Sequence, residues 1–362
     1  MENRIPNTIT NLLKEKRVFV FYKKPNENLI KSIIQTNKTL YTTNQYKESG
    51  FVFTPFNTSE KSILIPENKS ASLGYDMTNK PHGLNKKILN QVQNDGLSNN
   101  NSLSLYLESN SKKTHFKLVK KTIKFIKAGK ADKVVISHFI KKDITPSKIG
   151  NIYENLTRFY KNAFVYIWHH PKVGLWVGAS PEKLININNQ IYSTMALAGT
   201  QSFAENIVWE KKDIEEQKWV TEYIYKQLSP LSKQIKVSKS YTHKAGHLAH
   251  ICTDFKGELS DTIVLKDLLN KLHPTPAICG TPKSVAERFI LENEGYNRTF
   301  YSGFLGELNI ASKTDLFVNL RCMQVNDTTA KLYVGGGITK DSSPDKEWEE
   351  TINKAEVLGR FL

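Results

Sequence analysis

The sequence predicts an α+β fold with large antiparallel sheets. Two observations carry this expectation. From about residue 133 onward, short β-branched runs alternate with stretches of helical period, and several neighbouring runs are close enough to form hairpins. Such hairpins mixed with helices disfavour a doubly wound parallel sheet. No internal repeat of fixed period is present, which removes solenoids and propellers.

Along the chain, residues 8–15 read as a short helix, and 17–22, 51–53 and 62–65 as strands. Residues 81–112 include Asn-Asp-Gly-Leu-Ser-Asn-Asn-Asn-Ser, a polar, turn-rich stretch expected to be an exposed connection. A helix follows, with Phe116, Val119, Ile123 and Ile126 on one stripe and Gly129 as its stop. Residues 133–137 form a strand, 163–168 and 174–177 a hairpin, and 191–196 a further strand. Then come a long helix at 210–227, an extended run at 250–255 and a helix at 283–292. Residues 317–325 and 330–334 are expected to form one last hairpin, turned at Asn326-Asp327, before a C-terminal helix.

At 362 residues the chain can bury a substantial core as one or two domains. No apolar run reaches the ~20 residues of a membrane helix. Met1-Glu-Asn-Arg-Ile-Pro-Asn-Thr8 lacks a basic region followed by an apolar stretch. Cys252, Cys279 and Cys322 make neither a disulfide framework nor a metal knuckle, so a reducing, cytoplasmic setting is expected. The net charge is +16, but only seven of the 51 basic residues are arginine, and the lysines are spread along the chain. That pattern suits a solvated lysine-rich surface better than a nucleic-acid reader, which concentrates charge and uses arginine forks.

Several residues could carry chemistry. Glu347 and Glu350 share one face of the C-terminal helix; Asp213 and Glu216 repeat the spacing upstream. Each pair alone could be a dipole partner of its helix. Two acidic faces in so basic a chain suggest a divalent cation held between helices. Lys133 opens an apolar strand, with Val135 and Ser137 on its face. It either snorkels out at the strand end or is a desolvated base. Glu182, just past Ser180-Pro181, reads either as a buried general acid or as a first-turn helix acid. Ala198-Gly-Thr200 and Gly335-Gly-Gly337 resemble small-residue loops that let backbone approach an anion, although neither is a phosphate loop. Arg321 interrupts an apolar strand and, facing inward, would need an anion. His243, His247 and His250 do not make a zinc helix, since Gly246 sits among them and a strand follows. His250 alone stays a candidate site residue, and His169-His170 read as a surface turn.

Taken in order, the motifs resemble the chorismate-utilising enzymes, a family that includes isochorismate, salicylate, anthranilate and aminodeoxychorismate synthases. The resemblance covers about residues 115–360. It rests on Lys133-Val-Val-Ile-Ser, Gly178-Ala-Ser-Pro-Glu182, Leu197-Ala-Gly-Thr200, Lys212-Asp-Ile-Glu-Glu216, His250-Ile-Cys-Thr, His273-Pro-Thr-Pro-Ala277, Arg298 to Tyr301-Ser-Gly303, and Gly335-Gly-Gly-Ile with Glu347-Trp-Glu-Glu-Thr351 and Lys354. It implies sheets packed face to face with helices outside, as in anthranilate synthase component I. Residues 1–105 would be the variable N-terminal part, and 113–362 the chorismate-binding core.

The resemblance further implies one Mg²⁺, with Glu216 and Glu350 as direct ligands and Asp213 and Glu347 assisting. Arg321, Lys354 and the backbone around Gly199 and Gly337 would take the substrate's carboxylates. Ala198, Thr200, His250, Tyr301 and Gly335 complete the substrate-binding set. Anthranilate synthases resemble this chain with glutamine at the position of Lys133, and aminodeoxychorismate synthases with lysine at Ala198. Lys133 and Ala198 therefore imply isochorismate synthase, with Lys133 as base and Glu182 as acid. Its product would serve menaquinone or siderophore biosynthesis. Salicylate synthase, which goes on to eliminate pyruvate, is the alternative; a lysine-rich nucleic-acid-binding protein is a remote one. Gln201, Gln217 and Thr299 depart from the family's usual residues. Chorismate is the expected partner, with no nucleic acid or membrane, and the chain is expected to be a monomer.

Overall fold

The computed structural model describes residues 4–77, 109–245 and 248–362. Most of the expected polar connection therefore lies outside the described residues. Its last four residues do not: they are helical, because the helix expected near Phe116 already begins at Ser109.

Among the described residues the helices are α1 (Arg4–Lys14), α2 (Ser109–Lys127), α3 (Ile149–Phe159), α4 (Lys211–Leu228), α5 (Leu265–Leu272), α6 (Lys283–Asn293) and α7 (Pro344–Gly359). The first strands are β1 (Phe19–Lys23), β2 (Leu29–Gln35), β3 (Tyr41–Thr43), β4 (Gly50–Thr54), β5 (Ser62–Pro66) and β6 (Ser70–Asp76). Next come β7 (Lys133–Asp143), β8 (Phe164–His170), β9 (Gly174–Ser180), β10 (Lys183–Asn188), β11 (Ile191–Ser202), β12 (Ser232–Val237), β13 (Tyr241–Ala245) and β14 (Leu248–Leu259). The last are β15 (Gly280–Thr281), β16 (Phe304–Ile310), β17 (Lys313–Val318), β18 (Cys322–Asn326) and β19 (Thr329–Ile338).

One sheet has nine strands in the order β15-β7-β19-β18-β9-β8-β1-β2-β6. The other has ten, in the order β12-β14-β11-β10-β17-β16-β4-β5-β3, with β13 also on β14. Strand pairing is antiparallel in both, as expected. The N-terminal strands extend both sheets, so residues 4–77 are built into the same body as the rest.

The amino-acid pattern explains the layering. In β1 all five residues are buried because both faces are covered. Val20 and Tyr22 meet Phe51, Phe53, Leu305 and Phe317 of the facing sheet, while Phe19 and Phe21 pack under α1 and α3. The outer face of the ten-stranded sheet is covered by α4 and α5. On α2, His115, Val119, Thr122 and Ile126 are buried at helical spacing, and Gly129 follows with φ +71°. α7 starts with Pro344 in its first turn, joined by Asp345 and Glu347, both favourable near a helix N-terminus. Among the described residues no helix is long and apolar enough to cross a membrane.

Three expectations are corrected. Residues 317–325 are not one strand. The run breaks at 319–321, so β17 belongs to the ten-stranded sheet and β18 to the nine-stranded one. Asn319 drives the break: its amide donates to the Phe300 carbonyl at 2.8 Å and accepts from the Tyr166 hydroxyl at 2.6 Å. Arg321 next to it has φ 48°. His169-His170 is not a surface turn but the end of β8, where His169 Nδ1 donates to the Arg17 carbonyl at 2.6 Å and His170 is buried. Gly335–Gly337 lies within β19, paired to β7, and is not a loop.

Candidate active site

The two sheets converge around a cavity of about 110 Å³. Its walls come from the start of β7, the β9–β10 link, the middle of β11, the start of α4, the β17–β18 crossing, β19 and the inner face of α7. Thirteen of the fifteen expected site residues line it: Glu182, Ala198, Gly199, Thr200, Asp213, Glu216, His250, Tyr301, Arg321, Gly335, Gly337, Glu350 and Lys354. Lys133 and Glu347 sit one layer behind.

Lys133 does not snorkel. Its side chain is fully buried, and Nζ donates to Glu216 Oε1 at 2.5 Å. Burial would raise the Glu216 carboxyl, but Lys133, Lys212 and Lys354 outweigh it and hold the group below its usual range. The close approach explains Gly337: a Cβ there would stand 2.7 Å from Lys133 Cε and 3.1 Å from Glu216 Oε1. Gly337→Ala should therefore displace the Lys133 stem. We expect a loss of turnover larger than any loss of thermal stability, checked by steady-state kinetics beside a melting curve.

Glu182 is no first-turn helix acid, because the chain runs from β9 through Pro181 straight into β10. Its carbonyl accepts from the Val318 amide at 3.0 Å, which ties it to the other sheet. Burial pushes its carboxyl up to about 8, against the opposing charges of Lys133 and Arg321. The side chain is thus held protonated at neutral pH, as a general acid requires.

The bulge at 199–200 in β11 gives Gly199 a φ of +67° and turns its carbonyl toward His250. His250 Nδ1 donates to that carbonyl at 2.8 Å, so Nε2 is left to accept from the Arg321 guanidinium at 2.5 Å. Burial first, then the Arg321 charge, keeps His250 neutral. His250 therefore orients Arg321 as well as lining the cavity. His243 faces His250 across the β13–β14 pair, in strands and not on a helix, and His247 lies outside the described residues.

The acidic groups come as two pairs laced by lysines. Glu350 Oε1 meets Lys354 Nζ at 2.6 Å, and Lys354 also donates to the Gly335 carbonyl at 2.9 Å. Glu347 Oε1 accepts from Lys212 Nζ at 3.0 Å and from Ser342 Oγ at 2.6 Å, while its Oε2 is buried with no partner. Burial and the Glu350 charge raise the Glu347 carboxyl. Burial and Glu216 push Asp213 up to about 6. Among the described residues no three acidic, imidazole or thiol groups converge into a ready ligand cluster. The orphaned Glu347 oxygen and the repulsion within each pair nevertheless fit a hard cation that takes few carboxylates and keeps its waters.

Two residues of the quoted motifs, Lys212 and Arg298, gain a structural role that the sequence reading did not give them. Lys212 was part of a quoted motif, yet nothing in its spacing shows that it reaches across to α7. Arg298 is outside the cavity but builds its wall. It is paired with Glu294 and donates to the Val135 carbonyl at 2.7 Å and the Ile278 carbonyl at 3.1 Å.

A family model described as "Chorismate binding enzyme" matches residues 14–362. Isochorismate synthase DhbC of Bacillus subtilis (strain 168) is 32% identical over 199 residues, covering 51% of this chain and 50% of that protein. Anthranilate synthase component 1 of Aquifex aeolicus (strain VF5) is 27% identical over 268 residues, covering 70% of this chain and 54% of that one. The chain thus spans about half the length of these curated relatives. A putative 2,3-dihydroxybenzoate-specific isochorismate synthase from Bacillus anthracis superposes with a TM-score of 0.76 at 22% identity, over 99% of both chains. That likeness establishes the two-sheet fold. With the family model spanning nearly every residue, the chain belongs to the chorismate binding enzyme family.

Proposed function

We propose that the protein is an isochorismate synthase that rearranges chorismate to isochorismate with Mg²⁺. The supporting observation is the pairing of Lys133 and Glu182, a buried amine just behind the cavity wall and a protonated buried carboxyl that lines it, close enough for their charges to interact. In the reaction a water oxygen bonds to C2, the ring double bonds shift, and the C4–O bond breaks. Lys133 accepts the proton that water loses; Glu182 delivers a proton to the departing hydroxyl, so water enters and water leaves. In this structure Lys133 Nζ is committed to Glu216 Oε1, so that contact must open before the amine can act. Arg321, oriented by His250, and Lys354 offer cations to the substrate's two carboxylates. Glu216 and Glu350 would hold the Mg²⁺, with Asp213 and Glu347 behind them; when bound it supplies a fixed positive charge for the ring carboxylate. Ala198, where a family member that forms a lysine adduct would carry lysine, leaves water as the nucleophile. The product would feed menaquinone or a catecholate siderophore.

The test is chorismate consumption with and without EDTA. Mg²⁺-dependent formation of isochorismate is expected; salicylate with pyruvate release would sink the assignment in favour of a salicylate synthase. The pH profile gives a second check. Glu182 must be protonated, so kcat/KM should fall about tenfold per pH unit above about 8. Its folded value lies above the ~4.3 of an exposed glutamate. Its contribution to stability is therefore full below about 4 and is lost as pH rises through 8. Glu182→Gln should remove both dependences.

A further inference from the structure

We propose that His138 is a positioning residue for the acidic face of α7, fixing the helix's rotation against β7 and so the presentation of Glu347 and Glu350 to a divalent cation. The inference rests on the Mg²⁺ reading above and concerns what holds the ligand helix in place. His138 lies on β7 five residues after Lys133, so strand alternation puts it on the opposite face, away from the cavity. There its Nε2 lies 3.0 Å from Thr351 Oγ1. The Thr351 hydroxyl donates to the Trp348 carbonyl at 2.7 Å, so its oxygen accepts and His138 Nε2 carries the proton. The His138 ring also stacks on Trp348, with centroids 5.0 Å apart and planes at 15°. His115 of α2 closes the group, 4.7 Å from the His138 ring and 5.6 Å from Trp348.

Thr351 stands one helical turn beyond Glu347, on the same face, and follows Glu350 directly, so the three turn together with α7. A rotation that broke the Thr351 contact would swing both carboxylates. Among the described residues, the contact with Thr351 is the hydrogen bond by which the His138 ring reaches α7. Burial, then the neighbouring His115, holds His138 at about 3, so the Nε2–H donor persists at any working pH.

The test uses the full chain, without substrate, in a calorimetric Mg²⁺ titration beside thermal unfolding. His138→Leu should weaken Mg²⁺ binding about 10–100-fold, the range for residues that orient metal ligands. Chorismate KM at saturating Mg²⁺ should stay close to wild type. His138→Gln, whose amide can still donate to Thr351, should recover most of the affinity. Thr351→Val should match His138→Leu, and the double variant should be no worse than either single. Should His138→Leu fail to fold, Thr351→Val against His138→Gln carries the same comparison. A folded His138→Leu or Thr351→Val that binds Mg²⁺ like wild type, or Leu and Gln variants equally impaired, overturns the proposal. Wild-type protein that binds no Mg²⁺ overturns the metal reading and this inference with it.

Discussion

Replacing Lys133 with glutamine is expected to lower kcat/KM for chorismate by about 10²–10⁴-fold, the usual contribution of a positioned general base. Glutamine keeps a donor facing Glu216 on a side chain one atom shorter, so the fold should survive and chorismate KM should change little. The loss then belongs to proton transfer. Lys133→Met should differ in kind. It leaves Glu216, whose side chain is 14% exposed, without the partner now 2.5 Å away. Stranding a carboxylate that is mostly buried should cost a few kcal/mol of stability. Measuring turnover and urea midpoints for both variants separates the two effects. Full activity in a folded Lys133→Gln protein would refute the base.

The second large effect is on stability. Arg298 and Glu294 form an ion pair with side chains only 2% exposed, and Arg298 Nε meets Glu294 Oε2 at 2.8 Å. Glu294 Oε1 also accepts from the Ser137 amide at 2.7 Å and hydroxyl at 2.9 Å. The guanidinium lies 4.4 Å over the Phe56 ring, stitching β7, the turn before α6 and the N-terminal strands together. Arg298→Leu removes every bond at once and leaves a buried carboxylate, so a loss of about 3–5 kcal/mol is expected. Changing Glu294 to methionine in the same chain should recover part of it, because the stranded charge is then gone. Since Val135 and Ile278 line the cavity, the single variant should also lose substrate affinity at temperatures where it stays folded. Unchanged melting in Arg298→Leu would contradict the role given to this pair.

Much of this was legible in the sequence where one signal dominated. The strand at Lys133, the helix carrying Asp213 and Glu216 and the final acidic helix all show clear periods, and each lies where expected. β2, β3 and β6 were missed because their residues do not alternate cleanly: β6 is exposed almost throughout, and β2 mixes lysine and serine into an apolar run. The break at 319–321 was hidden by apolar residues on both sides. Only the partners of Asn319, which are distant in sequence, reveal it. The same holds for Lys212, whose partner Glu347 is 135 residues away. Gly335–Gly337 reads as a loop for a related reason: glycine serves the close approach of Lys133 and Glu216 at Gly337, and of Glu347 at Gly336, partners that lie far away in sequence. Local pattern thus located the chemical groups, whereas the ion pairs that hold them depend on chain crossings that no local pattern carries.

Turnover of chorismate in water enriched in ¹⁸O, with Mg²⁺ present and the product followed by mass spectrometry, tests the central claim most directly. Attack of solvent water at C2 with loss of the C4 hydroxyl predicts isochorismate carrying one ¹⁸O in its new hydroxyl. Unlabelled isochorismate, or no consumption of chorismate by the folded protein, would contradict the roles given to Lys133 and Glu182.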